Sequence, residues 1–426
     1  MFNRLREFLF VNSTTRQTIA KNATWLVAGQ FGARVSRAAI VIFAARVLGA
    51  AHWGAFSYAI GITTLLTVFS DLGINGTLTR AGSAAPGLRT RYLASALAAK
   101  GGLLAIAVAG VLLAMPWIST IAEARALMPI LLAVFVFDTL RDLGSAFARA
   151  LERMELEAMF TVFTNFAIAA LGFVFLSLSP NTASLAAAYA LGSGAGLLAF
   201  AYALRRHLAG LLASVDRRLI REIFSTAWPF GLFGLMGIAM LSTDTIILGW
   251  LKSPEEVGYY SAAQKIIQLF YVIPSLLAAS AFPALTRLIA AGNRSAARAL
   301  LTRLSFLLFA VAVPVALAGA LFAQPLVTLL FGAAYAAAAA PFAILITTVL
   351  IVFPSAIAGN AVFAYHKERS FLPAVAVSFF GNIILDLVLI PRFGISGAAV
   401  ATLLTQLATN AFIWARLANI LKKSPA

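Results

Sequence analysis

The chain has 426 residues, 62% hydrophobic and 11% charged, with a formal net charge of +17 and no cysteine. A soluble domain carries about 45–50% apolar and about 25% charged residues, so this composition excludes a soluble globule and requires a polytopic membrane protein. The lack of cysteine excludes disulfides and thiolate metal sites.

Residues 1–21 are not read as a cleavable signal, because the apolar core Phe8-Leu9-Phe10-Val11 is too short. With Arg4, Arg6 and Arg16 beside Phe2, Leu5 and Leu9, the segment is predicted to lie at the interface of an anionic leaflet. The first membrane span, 22–47, carries Gln30, Arg34 and Arg37, spaced i, i+4, i+7 to form one polar stripe. An arginine near mid-membrane costs at least about 2.5–3.5 kcal/mol, so two on one face need anionic or aqueous company. Pairing with acids of a neighbouring helix is the structural alternative; a substrate met on this helix is the functional one.

Further spans are predicted at 56–79, 92–115, 127–149, 159–179 and 183–204, completing an N-terminal lobe over 22–204. In the fourth, Asp138, Arg141, Asp142, Ser145 and Arg149 share one face at spacings of three and four, a stripe for a hydrated cavity or an ion-pair network. The connection 205–226 contains Asp216-Arg217-Arg218-Leu219-Ile220-Arg221-Glu222-Ile223-Phe224, an amphipathic stretch suited to the membrane surface. Spans at 227–250, 259–287, 301–323, 337–364, 370–390 and 395–416 form a C-terminal lobe over 227–416, leaving 417–426 as a tail. With the N-terminus cytoplasmic, most of the 32 lysines and arginines fall in cytoplasmic connections, and the opposite side holds Arg46, Arg125, Lys252 and Arg392. The basic excess is therefore a topology signal, and nucleic acid is not needed to explain it. Both termini are expected to be cytoplasmic.

An internal repeat supports the division. Leu48-Gly49 followed by Gly54-Ala55-Phe56-Ser57-Tyr58-Ala59 recurs as Leu248-Gly249 followed by Gly258-Tyr259-Tyr260-Ser261-Ala262-Ala263, Asn165 matches Asn382, and Pro129 matches Pro341. Two copies of six spans predict an all-α architecture of two lobes related by a pseudo-twofold axis along the membrane normal. The intramembrane bases are Arg34, Arg37, Lys100, Arg141 and Lys265; the acids are Asp71, Asp138, Asp142, Asp244 and Asp386. Pro274 and Pro314 free backbone carbonyls and are candidate kinks. Gly192-Ser193-Gly194-Ala195-Gly196 is spelled like a dinucleotide loop but follows no strand, and reads as small-residue helix packing. His52, His207 and His366 fall in separate loops and offer no metal site, and no Walker loop is present.

Arg46-Val47-Leu48-Gly49, Gly54, Tyr58 and Asp71-Leu72-Gly73-Ile74 resemble the opening of bacterial polysaccharide-biosynthesis, O-antigen-type flippases of the multidrug/oligosaccharidyl-lipid/polysaccharide exporter superfamily. Trp228-Pro229-Phe230 with Asp244, Phe331-Gly332 with Tyr335, and Ile390-Pro391-Arg392-Phe393-Gly394-Ile395-Ser396-Gly397-Ala398-Ala399 resemble later marks of the same family. The resemblance implies a V-shaped, MATE-like fold with twelve membrane helices in the bacterial inner membrane. It implies a flippase, not an enzyme and without a cofactor, moving an undecaprenyl-pyrophosphate-linked oligosaccharide to the periplasmic leaflet. A polysaccharide polymerase and glycosyltransferases would be its partners. Arg34, Arg37, Lys100, Arg141 and Lys265 are the candidate diphosphate ligands, and Gln30, Gln264, Gln268, Asn360 and Asn382 the glycan ligands. Asp138, Asp142, Asp71 and Asp244 are the candidates for ion coupling. A cation-coupled drug antiporter of the same superfamily remains the alternative, as does a lipid II flippase, in which two further helices would follow the twelfth.

Overall fold

The computed structural model describes residues 15–365 and 372–423, so residues 1–14 of the expected interfacial segment and His366 lie outside it. All its regular elements are helical, and α1 (Thr15–Asp71) starts the chain. Gly49, at φ 74°, breaks α1 into two helices; a side chain there would be strained. Residues 15–21 are not a separate surface segment: they are the first turns of α1, with Lys21 buried against Glu155 at 3.2 Å. Next come α2 (Ile74–Ala84), α3 (Arg89–Ile118), α4 (Ala122–Ala150), α5 (Met154–Leu178) and α6 (Thr182–Leu208). The second half holds α7 (Arg217–Leu251), α8 (Pro254–Phe270), α9 (Val272–Ala290), α10 (Arg294–Leu321), α11 (Ala323–Phe331), α12 (Ala339–Ile346), α13 (Val349–Ala364) and α14 (Leu372–Lys423). Gly394, at φ 58°, breaks α14 as Gly49 breaks α1.

Among the described residues, seven stretches are long and apolar enough to cross a membrane, or eight with one bent pair taken as a single span. Gly29–Asp71 and Val375–Leu421 run to 43 and 47 residues and contain the glycine breaks. One crossing takes about 20 residues, so each is long enough for two. Within the described residues, the twelve predicted spans fall mostly on helix, with 56–79 broken at Leu72-Gly73, 259–287 at Tyr271 and 337–364 at Thr347-Thr348, and the protein is an all-helical, multi-pass membrane protein.

The chain forms two compact units: Met1–Leu48 with Ala59–Ile238, and Gly49–Tyr58 with Ala239–Ala426. In the first unit, α6 lies close on α5 because Gly192 and Gly196 face Ile168 and Thr164; a Cβ on Gly192 would fall 2.8 Å from the Ile168 backbone nitrogen. The glycine-rich run is helix packing, as its spelling without a strand predicts. The amphipathic stretch 216–224 departs from expectation. Its apolar side is covered by the unit's own core, where Ile223 is fully buried and Leu219, Ile220 and Phe224 pack against the cluster around Leu143 and Phe147. Arg91 binds Asp216 at 2.7 Å and Tyr92 donates to Glu222 at 3.0 Å, so protein rather than lipid holds this segment, which continues without a break into α7. His52 and His207, expected in loops, lie in α1 and α6, with the His207 ring edge-on to Phe147.

In the second unit, residues 50–54 cross the start of α8 at backbone contact. A Cβ on Gly54 would lie 1.7 Å from the Pro254 carbonyl oxygen, and one on Gly258 would lie 1.9 Å from the Ala50 carbonyl oxygen. The repeated glycines thus face each other's helix. Gly249 is different from its repeat partner Gly49: it stays helical and makes room for the Tyr58 ring. The chain leaves helical pairing at Tyr271, three residues before Pro274, whose ring nitrogen cannot donate to the preceding turn. Pro314 lies inside the unbroken α10. A second break, between α12 and α13, bends the chain by 43° where Thr347 and Thr348 hydroxyls bond back to Ile344 and Leu345 carbonyls. Tyr271 hydrogen-bonds Thr348 and so ties the two breaks together.

Gly258→Val should drive the two helices apart, with overpacking worth about 1–3 kcal/mol or more. Gly110→Ala, at a glycine with open space around it, should be neutral or slightly stabilising. Thermal melting of both variants in detergent checks this pair of outcomes.

Candidate functional site

In the first unit, several intramembrane ionisable residues of α1, α3, α4, α5 and α6 meet partners on neighbouring helices or turns. Lys100, 1% exposed, donates to Asp71 Oδ1 and Asn75 Oδ1, both at 2.9 Å. Arg141 lies 2.8 Å from Asp138 and 3.3 Å from Asp142. The Asp142 carboxylate is 54% exposed and also lies in the field of Lys100. Arg149 binds Glu157 on α5 at 2.6 Å. Tyr189 on α6 sits in the fields of Arg37 and Asp138, which joins the α1 and α4 stripes into one neighbourhood.

Asp71, Asp138 and Asp142, the intramembrane acids of this unit, therefore each have a basic partner, and two arginines are left over. Arg34, half-buried, has no hydrogen bond or ion pair among the described residues. Arg37, exposed, donates its Nε–H to Asn165 Oδ1 at 3.1 Å and meets no carboxylate among the described residues. Gln30 lies exposed on the same stripe. The five candidate diphosphate ligands thus divide into three groups. Arg34 and Arg37 have guanidinium groups to spare, and Lys100 and Arg141 are engaged with acids. Lys265, on α8 in the second unit, is half-buried and already engaged in an interaction. Gln264 on α8 is likewise engaged, and Gln268 and Asn360 are half-buried on α8 and α13.

The second unit holds the opposite chemistry. Asp244 on α7, 1% exposed, accepts from the Tyr260 hydroxyl on α8 and from Thr402 Oγ1 on α14 at 2.6 Å, and Asn382 on α14 lies beside it. Asp386, fully buried one turn after Asn382, abuts Asp244. Asp244 Oδ1, both Asp386 oxygens and Asn382 Oδ1 are buried acceptors with no donor, and among the described residues no ion pair reaches either carboxylate. Burying such charge without compensation costs several kcal/mol, so these oxygens call for a proton or a hard cation, whose preferred ligands are oxygens.

From the sequence, Asp244 is a coupling candidate and Asn382 a glycan candidate, whereas Asp386 has no assigned role. The signal was present: Asn382 and Asp386 are one turn apart on one helix face. What it lacked was the fold that brings α7, α8 and both halves of α14 to one point.

A family model described as "Polysaccharide biosynthesis protein" matches residues 19–289, well over half of the chain, and a MatE model matches 229–391. The "Probable flippase AglR" of Haloferax volcanii is 30% identical over 167 residues, a match spanning 38% of this chain and 35% of that relative. Among solved structures, a "Lipid II flippase MurJ, inward closed conformation" aligns with TM-score 0.73 at 16% identity, covering 93% of this chain and 87% of the other. An inward-facing multidrug resistance MATE family transporter of the MOP superfamily aligns with TM-score 0.68 at 16% identity, covering 100% and 99%. These neighbours share the fold. The matched model, with the spans and the charged clusters laid out above, places the chain in the polysaccharide biosynthesis protein family.

Proposed function

We propose that this protein is a flippase that carries an undecaprenyl-pyrophosphate-linked oligosaccharide from the cytoplasmic to the periplasmic leaflet of a bacterial inner membrane. The observation that carries this reading is the pair Arg34 and Arg37, two membrane-embedded arginines that no carboxylate neutralises among the described residues. A diphosphate bearing a glycan cannot enter hydrocarbon unaided, because bare charge and unpaired hydroxyls are costly to bury. Guanidinium forks match phosphate oxygens two at a time. At an effective dielectric near 20, unit charges at about 4 Å attract by roughly 4 kcal/mol, enough to hold a head group without trapping it. Membership of the family and the flippase names of AglR and MurJ support the same direction. Gln30, exposed on the same stripe, would meet the glycan next to the diphosphate.

The carboxylate pair of the second unit favours cation coupling at Asp244 and Asp386. Asp71, Asp138 and Asp142 already face lysine or arginine, which reduces their need for another cation. Transport would be driven by a proton or a hard monovalent cation taken up among Asp244, Asp386 and Asn382, and the anionic load would be held in the first unit.

Three outcomes test these readings. The double variant Arg34→Ala, Arg37→Ala should express and melt normally yet transport lipid-linked oligosaccharide in proteoliposomes at least about tenfold more slowly, since each lost charged hydrogen bond is worth about 1.5–3 kcal/mol. Arg→Lys at both positions should restore only part of the rate, because lysine has no fork; undiminished transport by the alanine pair would reject the site. The double variant Asp244→Asn, Asp386→Asn should still bind substrate but no longer respond to imposed sodium or proton gradients. A retained response would move coupling to Asp138 and Asp142. Finally, a Ser214→Cys thiol in this cysteine-free chain should react with an impermeant reagent only from the cytoplasmic side, and labelling from the periplasm would overturn the topology.

A further inference from the structure

We propose that Asn165 is the positioning residue of the anion site, setting the Arg37 guanidinium so that its terminal nitrogens stay free for a diphosphate. The proposal rests on the flippase reading above. It begins with the packing of α5 on the first helix of α1. A Cβ on Gly29 would fall 2.8 Å from Ala158, one on Gly32 would fall 3.3 Å from Val162, and one on Gly172 would fall 2.5 Å from Ile40. Small residues therefore let the two helices touch on both sides of Arg37, and this brings Asn165 within reach of its Nε.

The amide cannot turn the other way. Asn165 Nδ2 is committed to the Thr161 carbonyl at 2.8 Å, so Oδ1 is the atom presented to Arg37, at 3.1 Å. Asn165 is 6% exposed and fixed by packing, whereas Arg37 is exposed. A guanidinium is planar with five N–H donors, so holding Nε limits rotation of the whole group while using one donor. The four donors on the terminal nitrogens have no partner among the described residues. An asparagine also leaves the positive charge intact. Aspartate would keep an acceptor for Nε but lose the bond to the Thr161 carbonyl and cancel the charge that an anion needs. Its counterpart in the internal repeat, Asn382, sits against Asp244 and Asp386, so the same position serves opposite charges in the two units.

The test measures binding of inorganic pyrophosphate to the purified full-length protein in detergent, with melting temperature recorded for each variant. Asn165→Ala should weaken pyrophosphate binding roughly tenfold, the size expected for losing one charged hydrogen bond's orientation. Asn165→Asp, which keeps an acceptor for Nε but loses the donor to the Thr161 carbonyl, should still fold and should bind weakly because it cancels the Arg37 charge. Arg37→Ala should weaken binding at least as much as Asn165→Ala, and adding Asn165→Ala to it should cost nothing further. The inference is overturned if Asn165→Asp binds like the native protein, or if the Asn165 and Arg37 losses multiply. It is overturned alone if Arg37→Ala weakens binding and neither Asn165 variant does. If Arg37→Ala leaves binding unchanged, the diphosphate site itself fails and this inference fails with it. Should Asn165→Ala not fold, Asn165→Asp decides the matter.

Discussion

A charge held among apolar helices must find a counter-charge, a dipole or a ligand, because hydrocarbon offers it no water. That constraint arranges the interior of this protein. Lys100 is satisfied by Asp71 and Asn75, Arg141 by Asp138 and Asp142, and Lys21 by Glu155. Among the described residues, Arg34 and Arg37 in the first unit and Asp244 and Asp386 in the second are intramembrane groups that meet no opposite charge. Removing both members of a buried pair can be nearly neutral, so the pairs by themselves argue for architecture. These four carry the functional reading, since a membrane-embedded ionisable group without an opposite charge calls for a ligand or an ion.

The pairs depend in turn on close approach of backbones. Tight crossings occur at Gly29 with Ala158, at Gly192 with Ile168, and at Gly54 and Gly258 with facing carbonyl oxygens. Lipid tails are as apolar as leucine, so helices in a membrane are held by packing and hydrogen bonds rather than by a hydrophobic driving force between them. Small residues allow that packing. They also determine which polar side chains can meet, as with Asn165 and Arg37. Two other glycines, Gly49 and Gly394, act through the backbone instead, supplying the positive φ values at which one helix ends and the next begins.

The two units show how a duplicated framework can take on opposite electrostatics. Asn165 and Asn382 occupy matched positions, one beside an arginine, the other beside two carboxylates. An amide suits either neighbour, because it offers both a donor and an acceptor and adds no charge. Anion handling in one unit and cation handling in the other then require few substitutions around a constant residue.

Much of this was legible in the sequence, for physical reasons. Hydrophobic runs of crossing length require a bilayer, the basic residues bias the topology, and helical spacing puts Gln30, Arg34 and Arg37 on one stripe whatever the neighbours are. The family resemblance, carried by turn motifs such as Leu48-Gly49 and Phe393-Gly394, could also be read, because helix breaks need particular residues locally. Pairing could not be read, since it is set by which helices touch. The equal numbers of intramembrane acids and bases suggested a balanced interior, yet the packing puts Asp244 beside Asp386, with no base, and leaves Arg34 with no acid among the described residues. The amphipathic run 216–224 has the composition of a membrane-surface helix, and only the core formed by α2, α3, α4 and α6 decided that its apolar face is covered by protein. Local spacing determines which face a residue occupies; what that face meets is a property of contacts between residues far apart in the chain, and those exist only once the helices have packed.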